Sequence, residues 1–324
     1  LEVPAVEGTD PKLCKQWRLV ETPKEILAYL LERNRKHFGQ AKGTPFTRPP
    51  LSEQFNFAAS TAACELVLEG DYSCEELDNL TSLLLQHFSR RQQLDKLPSQ
   101  MSTSDLLDAL KIWNEGTSTS PSGMNLGHYH AMFRRHSYPE NSTEAKTFET
   151  KQARLLQAQL ALLNYALRFN HSFDRWKTIV NVMIQKEPGN CKIHRLRVIH
   201  IYEADYNLLL GVKWRELLHG AEDKNLLNEG CYGSRPGREA NTVVFMELMQ
   251  MEISRCSRKP FIKFDNDATS CYDRIIPGTA MLISRKYGLH RNVAAVCGKT
   301  LEEAHYKIKT MLGVSEDSYT GNEN

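Results

Sequence analysis

The residues best suited to chemistry lie in one short run, FIKFDNDATSCYDRI at 261–275. Side chains of a strand alternate between faces, so Lys263, Asp265 and Asp267 share one side, with Ile262, Phe264 and Asn266 on the other. With about 3.3 Å of rise per residue, the α-carbons of Asp265 and Asp267 stand about 6.6 Å apart. Two carboxylates closing one face of such a strand suit metal-assisted phosphoryl chemistry. They equally suit a solvated strand end, or the cap of the next turn. Upstream, 175–215 holds eight Lys and Arg, among them Lys186, Lys192, Arg195 and Arg197, against Glu187, Glu203 and Asp205. That is a local +5 in a chain whose total is +2. Cations facing carboxylates are what holding a polyphosphate requires; a solvated charged face is the plainer alternative.

The elements that position these groups are legible from periodicity. KTIVNVMIQK (177–186) and IHRLRVIHI (193–201) are β-branched, alternating runs separated by a Pro-Gly-Asn turn, which predicts a hairpin with Arg195 and Arg197 on one face. Residues 261–267 predict a short strand, followed by a turn ending near Pro277-Gly278, helical sequence to about 304 and a final alternating run, HYKIKTM. Helical spacing marks 203–218 and 239–255. The first half is mostly helical. A capping box with proline at the first helical position, Thr22-Pro23-Lys24-Glu25, opens one helix. Others are predicted from Ser73 through Phe88, from Ser104 through Trp113, and over 144–169. Their leucine stripes are expected to face the core. Six of the thirteen prolines fall in the first fifty residues, so that segment should be largely extended around its one helix.

Length and composition bound the answer. At 324 residues the chain exceeds one average domain, and 41% hydrophobic with 25% charged residues is globular, not disordered. A net charge of +2 means that any phosphate site must be a local basic patch. The eight cysteines lie at least ten residues apart with no CxxC pair. That predicts free thiols in a reducing, intracellular compartment, nucleus or cytoplasm, and neither zinc nor a disulfide framework. His128 and His130 lack metal spacing. No run approaches the roughly 20 apolar residues of a membrane span. Leu1 at the start and a loop-like ending predict that the chain is part of something longer.

Several segments in order resemble the reverse transcriptase domain of non-LTR retrotransposons, from about Ser102 to the end. WNEGTSTSPSGMNLGHYHAMF (113–133) resembles the Gly-Pro-rich segment of that family. WKTIVNVMIQKEPGNCKIHRLRVIHI resembles its two fingers strands, and ADYNLLLGVKWREL the helix after them. CYGSRPGREANTVV (231–244) is similar to its Gly-Phe-Arg-Pro-Gly-Arg segment, with Ser234 replacing the aromatic. FDNDATSCYDRI is similar to its first catalytic block, whose spacing selects Asp267, Tyr272 and Asp273.

An α+β fold is expected: an extended and helical N-terminal region over 1–100, read from prolines and periodicity, joined to what the resemblance implies for 101–324, the fingers and partial palm of a right-hand polymerase. The resemblance also implies template-directed nucleotidyl transfer, with an RNA or DNA template-primer and deoxynucleoside triphosphates as partners. Asp267 would ligate both catalytic Mg²⁺ ions, joined at one by the Ala268 carbonyl. Tyr272 would be the steric gate against a ribose 2′-hydroxyl, and Lys186 and Arg197 would clamp the triphosphate. Arg235, Gly237 and Arg238 would help to place template or primer. Asp265 has no assigned counterpart.

The family also needs a downstream Tyr-x-Asp-Asp turn, and this chain contains no Asp-Asp dipeptide. One carboxylate cannot hold two metals about 4 Å apart, so the chain by itself is expected to be polymerase-inactive. Two alternatives stay open. One is a nucleic-acid-binding remnant without catalysis. The other is a haloacid-dehalogenase-type phosphatase using Asp265 and Asp267 in an Asp-x-Asp-x-Thr run; Lys263 in the strand and the short sequence beyond count against it.

Overall fold

In the computed structural model, residues 1–320 are described, except 7, 90–96, 115–119, 125, 267–273 and 312. A short antiparallel pair, β1 (Glu2–Pro4) and β2 (Trp17–Leu19), leads into α1 (Pro23–Phe38). Helices α2 (Leu51–Gln54), α3 (Ala62–Glu69), α4 (Asn79–His87), α5 (Thr103–Ile112), α6 (Leu126–His130) and α7 (Thr143–Phe169) follow. The hairpin β3 (Thr178–Gln185) and β4 (Leu196–Ile201) precedes α8 (Ala204–Asp223) and α9 (Ala240–Ser257). Then come α10 (Pro277–Lys286), α11 (Arg291–Glu302), β5 (His305–Thr310) and β6 (Gly313–Thr320). The chain is thus mixed helix and sheet.

The main sheet has the order β4-β3-β5-β6. Its centre is a parallel pair, with Val180 opposite Lys307 and Val182 opposite Lys309, and hairpins flank it on both sides. Parallel strands need a crossover, which the helical sequence between β4 and β5 supplies. One face of the sheet is apolar: Ile179, Tyr306, Ile308 and Tyr319 are buried against α1, which contributes Leu30 with Ile26 and Leu27. Asn181 lies within this layer and donates from Nδ2 to Tyr319 Oη at 2.5 Å. Burial raises the phenol pKa values of Tyr306 and Tyr319 well above the ordinary tyrosine range. The opposite face carries Ile184 and Ile199, 47% and 45% exposed, with several cations.

The larger core joins α3, α5, α7, α8, α10 and α11 around Leu68, Leu106, Leu163, Leu208 and Leu282. It takes residues from both sides of position 100, so the expected division there separates no core. The segment after α2 packs directly on α10 and α11. A Cβ at Gly298 would lie 2.6 Å from the Phe57 carbonyl carbon and 2.5 Å from the Ala58 α-carbon. Buried charges stitch the same body together. Arg285 donates to both Glu65 oxygens at 2.8 and 2.9 Å, and to the Ala59 carbonyl. Lys213 Nζ donates to the carbonyls of Pro98 (3.0 Å) and Gln100 (2.9 Å) and to Glu216.

Most predicted helices are found, with instructive shifts. Thr22 does not cap the α1 backbone; its hydroxyl donates to the Glu25 carboxylate at 2.5 Å. The helix predicted from Ser73 starts at Asn79, because Asp78 is the cap and accepts from Thr81 N at 2.9 Å. The turn of its stripe changes accordingly: Leu85 and Thr81 are buried, whereas Leu80, Leu83 and Leu84 are exposed. Ser102 and Asp105 form the capping box of α5, which starts at Thr103, one residue before the predicted Ser104. At Pro277-Gly278 the expected helical sequence begins: Pro277 opens α10, where its missing N–H costs nothing. The predicted strand at 261–267 is not present, since 261–266 belong to no strand and 267 lies outside the described residues. Strand β6, unforeseen, pairs with the predicted HYKIKTM strand.

Candidate functional site

The hairpin β3–β4 is rooted by Trp176, fully buried, whose Nε1 donates to Asp205 Oδ1 at 2.8 Å. Arg175 pairs with the other oxygen of that buried carboxylate. From this root the register is regular: Val182 faces Ile199, Ile184 faces Arg197, and the Lys186 amide donates to the Arg195 carbonyl at 2.9 Å. Paired residues of an antiparallel ladder project to the same side. Ile184, Lys186, Arg195, Arg197 and Ile199 therefore share the open face, away from α1. The turn is fixed by Gln185, whose Oε1 accepts from the Gly189 amide at 2.8 Å, with Gly189 at φ +81°.

Of the eight cations counted in this stretch, several are consumed by the fold. Lys213 is buried, Arg175 serves Asp205, and Lys177 pairs with Asp174 (2.8 Å) and Glu303 (2.7 Å). Arg195 stands 3.8 Å from Glu187. Lys186 and Arg197 are exposed, and no described residue forms an ion pair with either.

The N-terminal segment braces the same hairpin. Arg33 Nε donates to the Ile193 carbonyl at 3.0 Å and Nη2 to that of Leu196 at 2.9 Å. The Glu2 amide donates to the Cys191 carbonyl at 3.0 Å, Trp17 stacks on His194 with centroids 5.3 Å apart, and Lys192 Nζ lies 4.9 Å from the Trp17 ring centroid. Burial, then Arg195, Lys192 and Lys186, hold the His194 imidazole below its ordinary pKa. Proline spacing marked the segment as wrapping something, but not what it wraps.

The Arg-Pro-Gly-Arg loop follows α8. Arg235 is turned inward: Nε and Nη2 grip the Glu222 carboxylate at 2.5 and 2.7 Å, and Nη1 donates to the carbonyls of Asn228 (2.6 Å) and Cys231 (2.8 Å). Four bonds leave it one N–H, so it anchors the loop where contact with nucleic acid was expected. The guanidinium beside Glu222 keeps that carboxyl below the usual glutamate range. Arg238 is half-buried, its guanidinium 5.2 Å from the centroid of the Tyr232 ring, and Gly237 occupies a left-handed turn position at φ +69°.

Asp267, Ala268 and Tyr272 lie outside the described residues. Asp265 is exposed and engaged by Lys263 at 3.1 Å. That lysine also donates to Glu247 at 2.8 Å, and the two carboxylates, Glu247 foremost, raise its pKa. Among the described residues no three His, Cys, Asp or Glu side chains cluster as a metal would need. Every described cysteine is a free thiol, and no described helix is long and apolar enough to cross a membrane.

Sequence reasoning missed Lys307 and Lys309. Their alternation in β5 was visible, but the parallel pairing that brings them beside Val180 and Val182 is not a local property. No protein-family model matches this chain, and no curated protein matches it either.

Proposed function

We propose that this chain is the fingers and partial palm of a reverse transcriptase resembling those of non-LTR retrotransposons, with template-primer and deoxynucleoside triphosphates as its partners. The observation that supports this most is the pair Lys186 and Arg197: two exposed cations without described ion-pair partners, on one side of a rooted and braced hairpin. A triphosphate is the ligand such a pair serves, because charge-assisted bonds to phosphate oxygens repay the cost of ordering two long side chains. Asp267 is the proposed metal-binding residue, with Tyr272 as the sugar gate and Ala268 beside the metal.

Titration of a deoxynucleoside triphosphate into the chain tests the reading. Lys186→Ala and Arg197→Ala are each expected to weaken binding about tenfold or more, from the loss of about 1.5 to 3 kcal/mol per charged hydrogen bond. Unchanged affinity in both variants would remove the support. With no Asp-Asp dipeptide in the sequence, the purified chain is expected not to extend a primed RNA template. Extension that Asp267→Asn abolishes would show otherwise.

A binding module without turnover is the second reading, favoured by the engagement of Asp265 with Lys263. The haloacid-dehalogenase-type alternative needs its first aspartate at the end of a sheet strand, and 261–266 join no strand.

A further inference from the structure

Helix α7 carries two apolar stripes, and the fold uses one of them. Leu156, Leu163 and Leu167 are buried in the larger core. Leu155, Leu162, Tyr165 and Phe169 form a second stripe and are between 42% and 58% exposed. At 3.6 residues per turn the two stripes stand about 100° apart around the axis. Leu155, Leu162 and Phe169 recur every seven residues, so the second stripe stays on one side, drifting about 20° per heptad over a length of about 21 Å. The core steadies its C-terminal end. The Tyr165 ring centroid lies 4.8 Å from that of Phe169 and 6.5 Å from that of Phe173, which in turn packs edge-on against the buried Trp176.

Arg154 and Arg168, seven residues either side of Ala161, border this stripe on the edge away from the core, and Lys151 extends it by one turn. All three are exposed, and no described residue forms an ion pair with any of them. The Arg168 guanidinium lies 5.5 Å from the centroid of the Phe169 ring. The acids of the helix are confined to its first two turns: Glu144 precedes the stripe, and Glu149 faces His136 Nε2 at 3.2 Å.

We propose that this face of α7 docks an acidic amphipathic helix of a partner protein. Apolar anchors of that helix would lie over Leu155, Leu162 and the ledge formed by Tyr165 and Phe169, and its carboxylates beside Lys151, Arg154 and Arg168. Charge decides between occupants. A second copy of the same face would set arginine against arginine whether the helices ran parallel or antiparallel, which like-charge repulsion disfavours. A helix of about four turns spans 21 Å and presents anchors at i, i+3, i+4 and i+7, the spacing that a stripe of this kind accepts. Ala161, midway along the arginine row, is small enough for the partner's backbone to come close at the centre, since the distance between packed helices follows the side chains at the contact. This surface is separate from the nucleotide site proposed at Lys186 and Arg197, and neither reading depends on the other.

The test uses the whole chain and a fluorescein-labelled helical peptide of about 18 residues, with leucine at heptad positions a and d and glutamate at e and g, so that it repels its own copy at neutral pH. A counterpart peptide carries lysine in place of every glutamate. The unaltered chain is expected to bind the glutamate peptide saturably, at least about tenfold more tightly than the lysine peptide, and more weakly as salt is added. Leu155→Ser with Leu162→Ser should lower that affinity about tenfold. Arg154→Glu with Arg168→Glu should invert the preference between the two peptides, a change that a merely structural role would not produce. Both variants alter exposed side chains, so their melting temperatures should match that of the unaltered chain, and triphosphate affinity should not move. No saturable binding of the glutamate peptide overturns the proposal, as does equal affinity for the two peptides or unchanged affinity in both folded variants. Tighter binding of an oligothymidylate or of phosphatidylserine vesicles, lost in the same variants, assigns the face to another class of occupant and also overturns it. A concentration-dependent dimer that Leu155→Ser with Leu162→Ser dissolves does the same.

Discussion

Arg33 in the first helix holds the carbonyl of Ile193 at 3.0 Å, across 160 residues of sequence. The same guanidinium reaches Leu196, so one side chain fixes the start of β4 from outside the sheet. Replacing it strands two carbonyls that have no nearby strand partner. Arg33→Ala is expected to lower unfolding free energy by about 2 kcal/mol in a urea titration. It should also weaken triphosphate binding, since the hairpin tip loses its brace. Arg33→Lys keeps the charge but not the fork, and should recover only part of the stability.

Gly298 marks where α11 meets the segment after α2. A methyl group there would sit against Phe57 and Ala58 backbone, which cannot yield as a flexible side chain would. Gly298→Ala is expected to destabilise by about 1 to 3 kcal/mol, the range for overpacking a filled site. Gly233→Ala, where an added Cβ meets nothing within 4 Å, is the neutral control. Equal melting temperatures for the two variants would contradict the packing described.

The Glu222–Arg235 pair sets a pH dependence. Its carboxyl is depressed by the hydrogen bonds from Arg235, so the stabilisation is complete above the ordinary glutamate value of about 4.3. It is lost as pH falls through the lowered value in the folded chain. Thermal melts between neutral pH and about pH 3 should therefore show an acid-side decline that Arg235→Ala reduces. The loop should also become a protease target, because its backbone carbonyls lose their donor.

Asp205 is a buried carboxylate serving both Trp176 and Arg175. Asp205→Ala removes the acceptor and leaves the indole N–H unpaired in the core. A loss of about 3 to 5 kcal/mol is expected, the cost of breaking a buried pair from one side. A shift in Trp176 emission should accompany it. Asp205→Asn retains an acceptor for the indole and should lose less.

Local signals carried the helices and the hairpin well. The length of α7, the β-branched alternation of β3 and β4, and the capping residues near α5 are all written within a turn or two of themselves. What was not legible depends on distant contacts. Ile262 and Phe264 promised a buried strand face, yet 261–266 take no sheet partner and Phe264 is 91% exposed. Arg235 read as a free cation because its partner Glu222 lies across a loop whose path spacing does not reveal. Lys307 and Lys309 likewise gain their place only through the parallel register with β3.

That register also dictates an order of assembly. Thr178 must await His305 before β3 acquires its second neighbour, so a chain emerging from the ribosome can close the β3–β4 hairpin early but not the sheet. Until then one edge of β3 offers its amides and carbonyls to any passing strand. Such long-range pairing slows folding, and a product cut short within the helices between would present that unsatisfied edge permanently.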